Sequence, residues 1–386
     1  MATSVLLIST TPRWFGTARV PERLAKSGFE VSLLTPENSL AEKSRFVGKV
    51  GHLPDGATTM EWVHAFAAMV AAVAPRMVIA CDDTAQRLLQ TLVVSPPPAM
   101  RPEMHLQLAQ LVRESIGDPA HYRTSTDKTQ LAQAAQALGI RVPPFVVAAT
   151  LEEAESFAAD QHFDVVLKRG FGSAGSEVVL VSTREELARA YADLTGRIDL
   201  NLEGATSVRI LLQARIPGLV RHHTVAAMRG KLLAGVSREK LIANPSPKGP
   251  ATVTRYFRVP EMRSAAEKLV GAFGMTGLFA FEFIAHEKTG ECYLLEINRR
   301  VTPGTHAAAQ VGVDLCGALY AALHGLPLTM RSDLDPDEEH TLAHFPSEWL
   351  RDPNSRYLRE YPVDAPWDDP GLFEAMLALR HEPDTD

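Results

Sequence analysis

The residues best suited to chemistry begin at Lys168, which stands two positions before the loop Gly170-Phe171-Gly172-Ser173-Ala174-Gly175-Ser176. Glycines leave no Cβ in the way, so backbone N–H groups can approach phosphate oxygens closely; Ser173 and Ser176 add hydroxyl donors and Lys168 adds charge. The same G-x-G-x-x-G spacing occurs in dinucleotide-binding folds, where the loop must open a helix. Here residues 177–181 read Glu-Val-Val-Leu-Val, β-branched and apolar, so the loop is expected to join two antiparallel strands. That context disfavours a nicotinamide fold. On the loop alone, the bland alternative is a hairpin with a lysine snorkelling to water.

A second group lies more than a hundred residues downstream. In the run 277–285, Phe279, Phe281 and Phe283 fall on one face of a strand and Glu282 on the other. In the run 291–298, Leu294, Glu296 and Asn298 share a face, with residues 286–290 as a hairpin loop between the runs. Pairing Ala285 with Glu291 brings Glu282 and Glu296 onto the same face, and a one-residue slip would separate them. Two such carboxylates repel and are costly to desolvate unless a cation sits between them. Magnesium takes a few carboxylate or amide oxygens and completes its shell with phosphates and water, which Glu282, Glu296 and Asn298 suit. The alternative is a solvated Glu, or one paired with Arg299 or Arg300.

These groups must be held by an α/β scaffold. The first hundred residues alternate short β-rich runs (5–8, 31–34, 77–80) with amphipathic stretches (19–26, 62–73), the rhythm of an open parallel sheet. Gly28 is expected to stop the first helix. The loop after the first strand lacks glycine spacing for a dinucleotide, and Ser95-Pro-Pro-Pro98 suggests a boundary. A helix is expected over 127–138, with an N-cap among Ser125, Thr126 and Asp127 and a stop at Gly139. Further strands are expected at 164–168, 177–181, 207–213, 223–228 and 232–236. Residues 237–255, polar and carrying proline and glycine, read as an exposed loop of the kind that forms lids.

The bulk composition narrows the partners. With 386 residues, 46% hydrophobic and 22% charged, the chain has ample material for two or three domains. Net charge is −7 and no Lys/Arg block stands out, so nucleic acid is not expected as a partner. No run of 18 apolar residues suggests a membrane span, and residues 4–9 are too short for a signal sequence. Three widely spaced cysteines, Cys81, Cys292 and Cys316, give neither a disulfide framework nor a zinc signature, which points to a reducing, cytoplasmic setting.

Taken in order, Asp127-Lys128, Val165-Val-Leu-Lys168 with its glycine loop, Phe281-Glu282-Phe283 and Glu296-Ile-Asn298-Arg-Arg300 resemble the ATP-grasp superfamily over residues 126–319. Biotin carboxylase, D-alanine-D-alanine ligase and peptide-forming carboxylate-amine ligases share this plan. The resemblance implies an α/β (α+β) chain with a Rossmann-like pre-ATP-grasp domain over 1–115 and an ATP-grasp domain over 116–330. The latter would hold a smaller lid subdomain near 142–213, and an acidic extension would follow over 331–386. It implies that Lys128 and Lys168 contact ATP phosphates while Gly170, Gly172, Ser173, Ala174, Gly175 and Ser176 close over them. Glu282, Glu296 and Asn298 would hold one or two magnesium ions, with manganese as a substitute. Gln213, Ala214, Arg215 and Ile216 would read the adenine. Many members carry an acidic residue beside the adenine amino group; Gln213 stands in that stretch here, which puts the nucleobase contact in question and leaves GTP open.

In the chemistry that the resemblance implies, a carboxylate attacks the γ-phosphoryl group and an amine displaces the acyl phosphate. Lys168 and Arg300 are the catalytic candidates, Arg300 because its fork suits a carboxylate. Arg221, His223, Arg238, Arg255 and His306 are further substrate candidates, and His306 is a possible general base. The expected activity is an ATP-dependent ligase joining a small carboxylic acid to an amine. Carboxyphosphate chemistry, as in a carboxylase or carbamoyl-phosphate synthase, is the alternative, although no biotin-attachment sequence is present. A non-catalytic ATP-binding regulatory module is the third reading. For residues 331–386 three roles stay open: covering the site, extending a homodimer interface, or capping the core.

Overall fold

A computed structural model describes residues 3–54, 56–171, 178–196, 209–245 and 249–379. The chain divides into two compact units, one comprising residues 1–120, 222–280 and 298–386 and the other residues 121–221 and 281–297.

Unit one begins with a parallel sheet of β1 (Thr3–Ile8), β2 (Phe29–Pro36), β3 (Val47–Leu53) and β4 (Met77–Ala80), in the order β3-β2-β1-β4. Val5 to Ile8 are wholly buried, as suits a strand covered on both faces. Helices Phe15–Lys26 and Thr59–Val73 connect β1 to β2 and β3 to β4, helix Asp83–Val94 follows β4, and Gly28, at φ +109°, takes the left-handed turn that ends the first of them. Asp82 caps the helix Asp83–Val94 through the Ala85 amide. The same carboxylate accepts from the Thr10 amide at 2.5 Å and the Ser9 hydroxyl at 3.0 Å, fixing the loop that leaves β1.

Unit two holds an antiparallel sheet of β5 (Phe145–Ala148), β6 (Val165–Arg169), β7 (Val178–Val181) and β8 (Ile210–Ala214), in the order β5-β8-β6-β7. β6 and β7 pair antiparallel, with Val165 opposite Val181 and Lys168 opposite Val178, as the apolar run after the glycine loop requires. Helices Leu151–Asp160 and Arg184–Gly196 cover one face. Val165 and Leu167 point into that core with Ala154, Leu187 and Leu212, so the pleat sends Lys168 to the other face.

The remaining strands are β9 (Gly218–Met228), β10 (Lys231–Ala243), β11 (Ala251–Phe257), β12 (Gly277–His286), β13 (Cys292–Asn298) and β14 (Glu339–Ala343). In unit one the neighbour order is β12, β9, β10, β11, β14; in unit two β13 lies beside β12. The His286 amide donates to the Glu291 carbonyl at 2.9 Å, closing the hairpin between β12 and β13. Phe279, Phe281 and Phe283 are buried along β12 as their alternation demands.

The expected exposed loop over 237–255 is not found. Most of it is the antiparallel pair β10 and β11, with Arg238 opposite Tyr256 and Lys240 opposite Thr254; residues 246–248 lie outside the described set. Ser237, Arg238, Glu239, Thr252 and Thr254 are all buried. Polarity misled the sequence reading because these groups are satisfied across strands: Glu239 takes Arg255 at 2.9 Å, and Thr252 donates to buried Glu348 at 2.6 Å.

The segment after residue 330 caps the core of unit one. β14 pairs with β11, and Leu372 and Met376 of helix Pro370–Ala378 join its hydrophobic cluster. Asp369 accepts from Ser44 Oγ at 2.5 Å.

Candidate functional site

In unit two the site grows from the start of the helix Lys128–Ala137. Asp127 is its N-cap: Oδ1 accepts from the Thr129 amide at 2.9 Å and the Thr129 hydroxyl at 2.6 Å. The Lys128 amide donates to the Gly170 carbonyl at 2.8 Å. A Cβ on Gly170 would lie 2.6 Å from Asp127 Oδ1, so only glycine lets the chain after β6 press against the cap. Gly172, Ser173, Ala174, Gly175 and Ser176 lie outside the described residues.

Lys128 Nζ stands 3.2 Å from Glu296 Oε2. Lys168 is buried, and burial lowers its pKa to about 8; the Glu296 carboxylate raises it, the neighbouring Lys128 charge lowers it further, and Glu282 raises it. Two lysines and two carboxylates from the helix start, β6, β12 and β13 therefore act on one another within this unit. The sequence pattern alone put Glu282 and Glu296 on one face; it did not bring the lysines to them. The two carboxylates of this unit, Glu282 and Glu296, are hard oxygen donors, and Glu296 already faces a cation, so these residues fit magnesium.

Gln213, in β8, is buried and its Oε1 finds no partner among the described residues. An unserved buried acceptor is costly, and a donor such as an amino group would satisfy it. The Ala214 and Arg215 amides are committed to the carbonyls of Pro144 at 2.8 Å and Asp164 at 3.0 Å, while half-buried Ile216 follows them. Arg221, half-buried, lies with Nη1 3.8 Å from Cys292 Sγ.

The other candidates belong to unit one. Asn298 ends β13, and its Oδ1 accepts from Arg300 Nη2 at 3.3 Å. Arg300 also pairs with Asp83 at 3.0 Å and lies 5.9 Å from the centre of the Trp14 ring. The Val301 amide donates to the Ala80 carbonyl at 3.1 Å, which brings Arg300 to the carboxyl end of β4. That edge, between β1 and β4, is where the order of a doubly wound sheet reverses and ligands bind. Sequence reasoning passed over Asp83 and Trp14; the signal available for Asp83 was the acidic pair Asp82-Asp83, one residue after the apolar run 77–80.

Arg238, His223 and His306 are buried, and Arg255 is held in an ion pair. Arg238 is buried beside Gly304, where a Cβ would lie 2.7 Å from its Nε. Arg255 is engaged by Glu239. His223 is wholly buried, with Nδ1 2.9 Å from Ser237 Oγ, and burial lowers its pKa to about 3. His306 Nε2 lies 2.8 Å from Asp364 Oδ2; burial lowers its pKa to about 4 although Asp364 pulls it up. Asp364 Oδ2 also takes His344 Nδ1 at 2.9 Å, and Oδ1 accepts from the Phe345 amide at 2.6 Å. These three side chains have the composition of a metal site. However, Arg19 donates to the Asp364 carbonyl and sits 4.0 Å from Oδ1, so an added cation would meet a buried guanidinium. The group is a hydrogen-bonded clamp between the chain after β14 and the core.

The family model for the ATP-grasp domain matches residues 125–304. The chain carries an ATP-grasp domain. Among curated proteins, acetyl-CoA carboxylase 2 of Oryza sativa subsp. japonica is 27% identical over 188 residues. That match covers 46% of this chain and only 8% of the relative's length. Among solved structures, the biotin carboxylase domain of Hydrogenobacter thermophilus 2-oxoglutarate carboxylase, in complex with MgADP, ADP and bicarbonate, superposes with a TM-score of 0.65. It is 17% identical, over 88% of this chain and 74% of that one. N5-carboxyaminoimidazole synthetase from Staphylococcus aureus, complexed with ADP, gives a TM-score of 0.61 at 13% identity, over 88% and 81% of the two chains. These likenesses show that most of the chain shares the fold of those proteins. Among the described residues, no helix is long and apolar enough to cross a membrane.

Proposed function

We propose that this protein is an ATP-dependent ligase that activates a small carboxylic acid as an acyl phosphate and joins it to an amine, releasing ADP and phosphate. The observation that carries this reading is the lysine and carboxylate cluster of unit two, with Lys128 3.2 Å from Glu296 and buried Lys168 in the electrostatic field of Glu296 and Glu282. Phosphoryl transfer asks a protein mainly for charge placement, and this cluster supplies both signs. Lys128, Lys168 and the glycine loop take the phosphates, and Glu282, Glu296 and Asn298 hold magnesium, which when bound neutralises charge on the transferring group. Gln213 Oε1 supplies the acceptor for the adenine amino group. Arg300, whose planar fork Asp83 and Asn298 now occupy, receives the substrate carboxylate. Three free buried cysteines accord with a reducing, cytoplasmic setting.

The names of the similar proteins favour a second reading, in which the carboxylate is bicarbonate and the intermediate is carboxyphosphate. A phosphate-release screen over pairs of carboxylic acids and amines, with bicarbonate as one acid and product masses recorded, distinguishes the two. Release that requires an amine and yields a mass matching the dehydrated pair supports the ligase. Release that never requires an amine defeats it, and release only with bicarbonate supports the second reading. Glu296→Ala is expected to abolish turnover; unchanged biological activity in that variant would favour a regulatory module.

A further inference from the structure

Lys128 is asked to serve two partners. Its ammonium faces Glu296 at 3.2 Å, yet the function proposed above, on which this inference rests, needs the same ammonium on a phosphate. Glu296 is in the mirror position, since a carboxylate paired with Lys128 is less available to a divalent cation. We propose that the pair is a counterion latch: Lys128 shields Glu296 until nucleotide phosphates draw the lysine away, so that divalent cation and nucleotide bind with positive coupling.

The local structure suits such an exchange. Lys128 is the first residue of its helix, and its backbone is fixed by the Gly170 carbonyl and the Asp127 cap, so only the side chain need move. Lys168 cannot take over the shielding at no cost, because burial and the Lys128 charge already disfavour its protonated form. Glu296 keeps 29% of its side chain exposed, which leaves an incoming cation a path to it. Coupling of this kind is reciprocal: whatever loosens the pair from one side must raise affinity on the other. Each ligand alone must break the ion pair, whereas both together replace it with two new pairings of opposite charge. Free divalent cation in the absence of nucleotide is therefore held weakly, and the site loads as a metal and nucleotide unit.

Two variants test the latch without reference to turnover. In Lys128→Gln, Mn²⁺ alone, followed by electron paramagnetic resonance of the free ion, should bind about tenfold more tightly than to the unaltered protein, the order expected when a unit charge is removed at contact distance. In Glu296→Gln, ADP in the presence of EDTA should bind about threefold or more tightly by calorimetry, because the lysine is released to the phosphates. Either affinity unchanged, or moved the other way, in a variant with an unaltered circular dichroism spectrum overturns the proposal. The variants are independent, so the misfolding of one leaves the other to decide. An unaltered protein that binds no ADP with Mg²⁺ present would defeat the functional reading itself; one that binds it, while both variants keep their parent's affinities, defeats the latch alone.

Discussion

Replacing Lys168 by methionine should stabilise the ligand-free protein while abolishing its affinity for nucleotide. The side chain is 7% exposed, and burial outweighs the help of Glu296 and Glu282, lowering its pKa from 10.5 to about 8. At 1.36 kcal/mol per tenfold in proton affinity, the charged form is disfavoured by about 3 kcal/mol relative to water. A neutral side chain of similar length removes that term, so Lys168→Met should gain roughly 1–3 kcal/mol near pH 7, once imperfect packing is allowed for. The pH dependence fixes the sign. Since the folded pKa is the lower one, the unfolded chain binds more protons between about pH 8 and 10.5, and stability must rise with pH across that window. Below about pH 8 the cost is fully present. Urea denaturation at pH 7 and pH 10 measures both states: the variant should lead at pH 7, and its advantage should shrink at pH 10. A variant less stable than its parent at pH 7 would refute the reasoning, as would an advantage that does not shrink. Nucleotide phosphates reverse the preference by favouring the charged lysine, so binding near pH 8 should take up a proton, seen as buffer-dependent heat in calorimetry.

Asp364→Asn leaves two imidazoles and a buried guanidinium without their carboxylate and should cost about 3–5 kcal/mol by chemical denaturation. Asp364 is held well below its ordinary 3.8 by the two imidazoles against the opposing effect of burial. Its contribution is therefore present above about pH 4 and lost as pH falls through its folded value, so parent and variant should converge in acid. Asp127→Ala removes the cap of helix Lys128–Ala137 and should lower stability by about 1 kcal/mol, measured by thermal melting; no change would show that Thr129 and Lys128 are held otherwise. Gly235→Ala would set a Cβ 2.5 Å from His223 Nε2 and should cost about 1–3 kcal/mol; a neutral result would mean that the imidazole can turn aside.

Much of the local structure was written in the chain. The β-branched run after the glycine loop required a strand, and β7 is there, paired with β6. Alternation in residues 277–285 required a buried phenylalanine face with Glu282 on the other side, and β12 has both. Gly28 and Gly139 had to end their helices, and both take positive φ. Each of these follows from local rules of pleat, branching and backbone freedom, which a single segment states in full. Where polarity was taken for exposure the reading failed, because residues 237–255 bury polar groups against one another and against a partner distant in sequence, as Glu239 does with Arg255 and Thr252 with Glu348. What only the tertiary structure decided is which opposite charges meet. Lys128 and Glu296 stand 168 positions apart and Arg300 and Asp83 stand 217 apart, counted from their residue numbers, and no local rule couples them. Sequence alone supplied the kinds of group that phosphoryl chemistry needs. Long-range packing set the distances between them, and Coulomb energies depend on those distances.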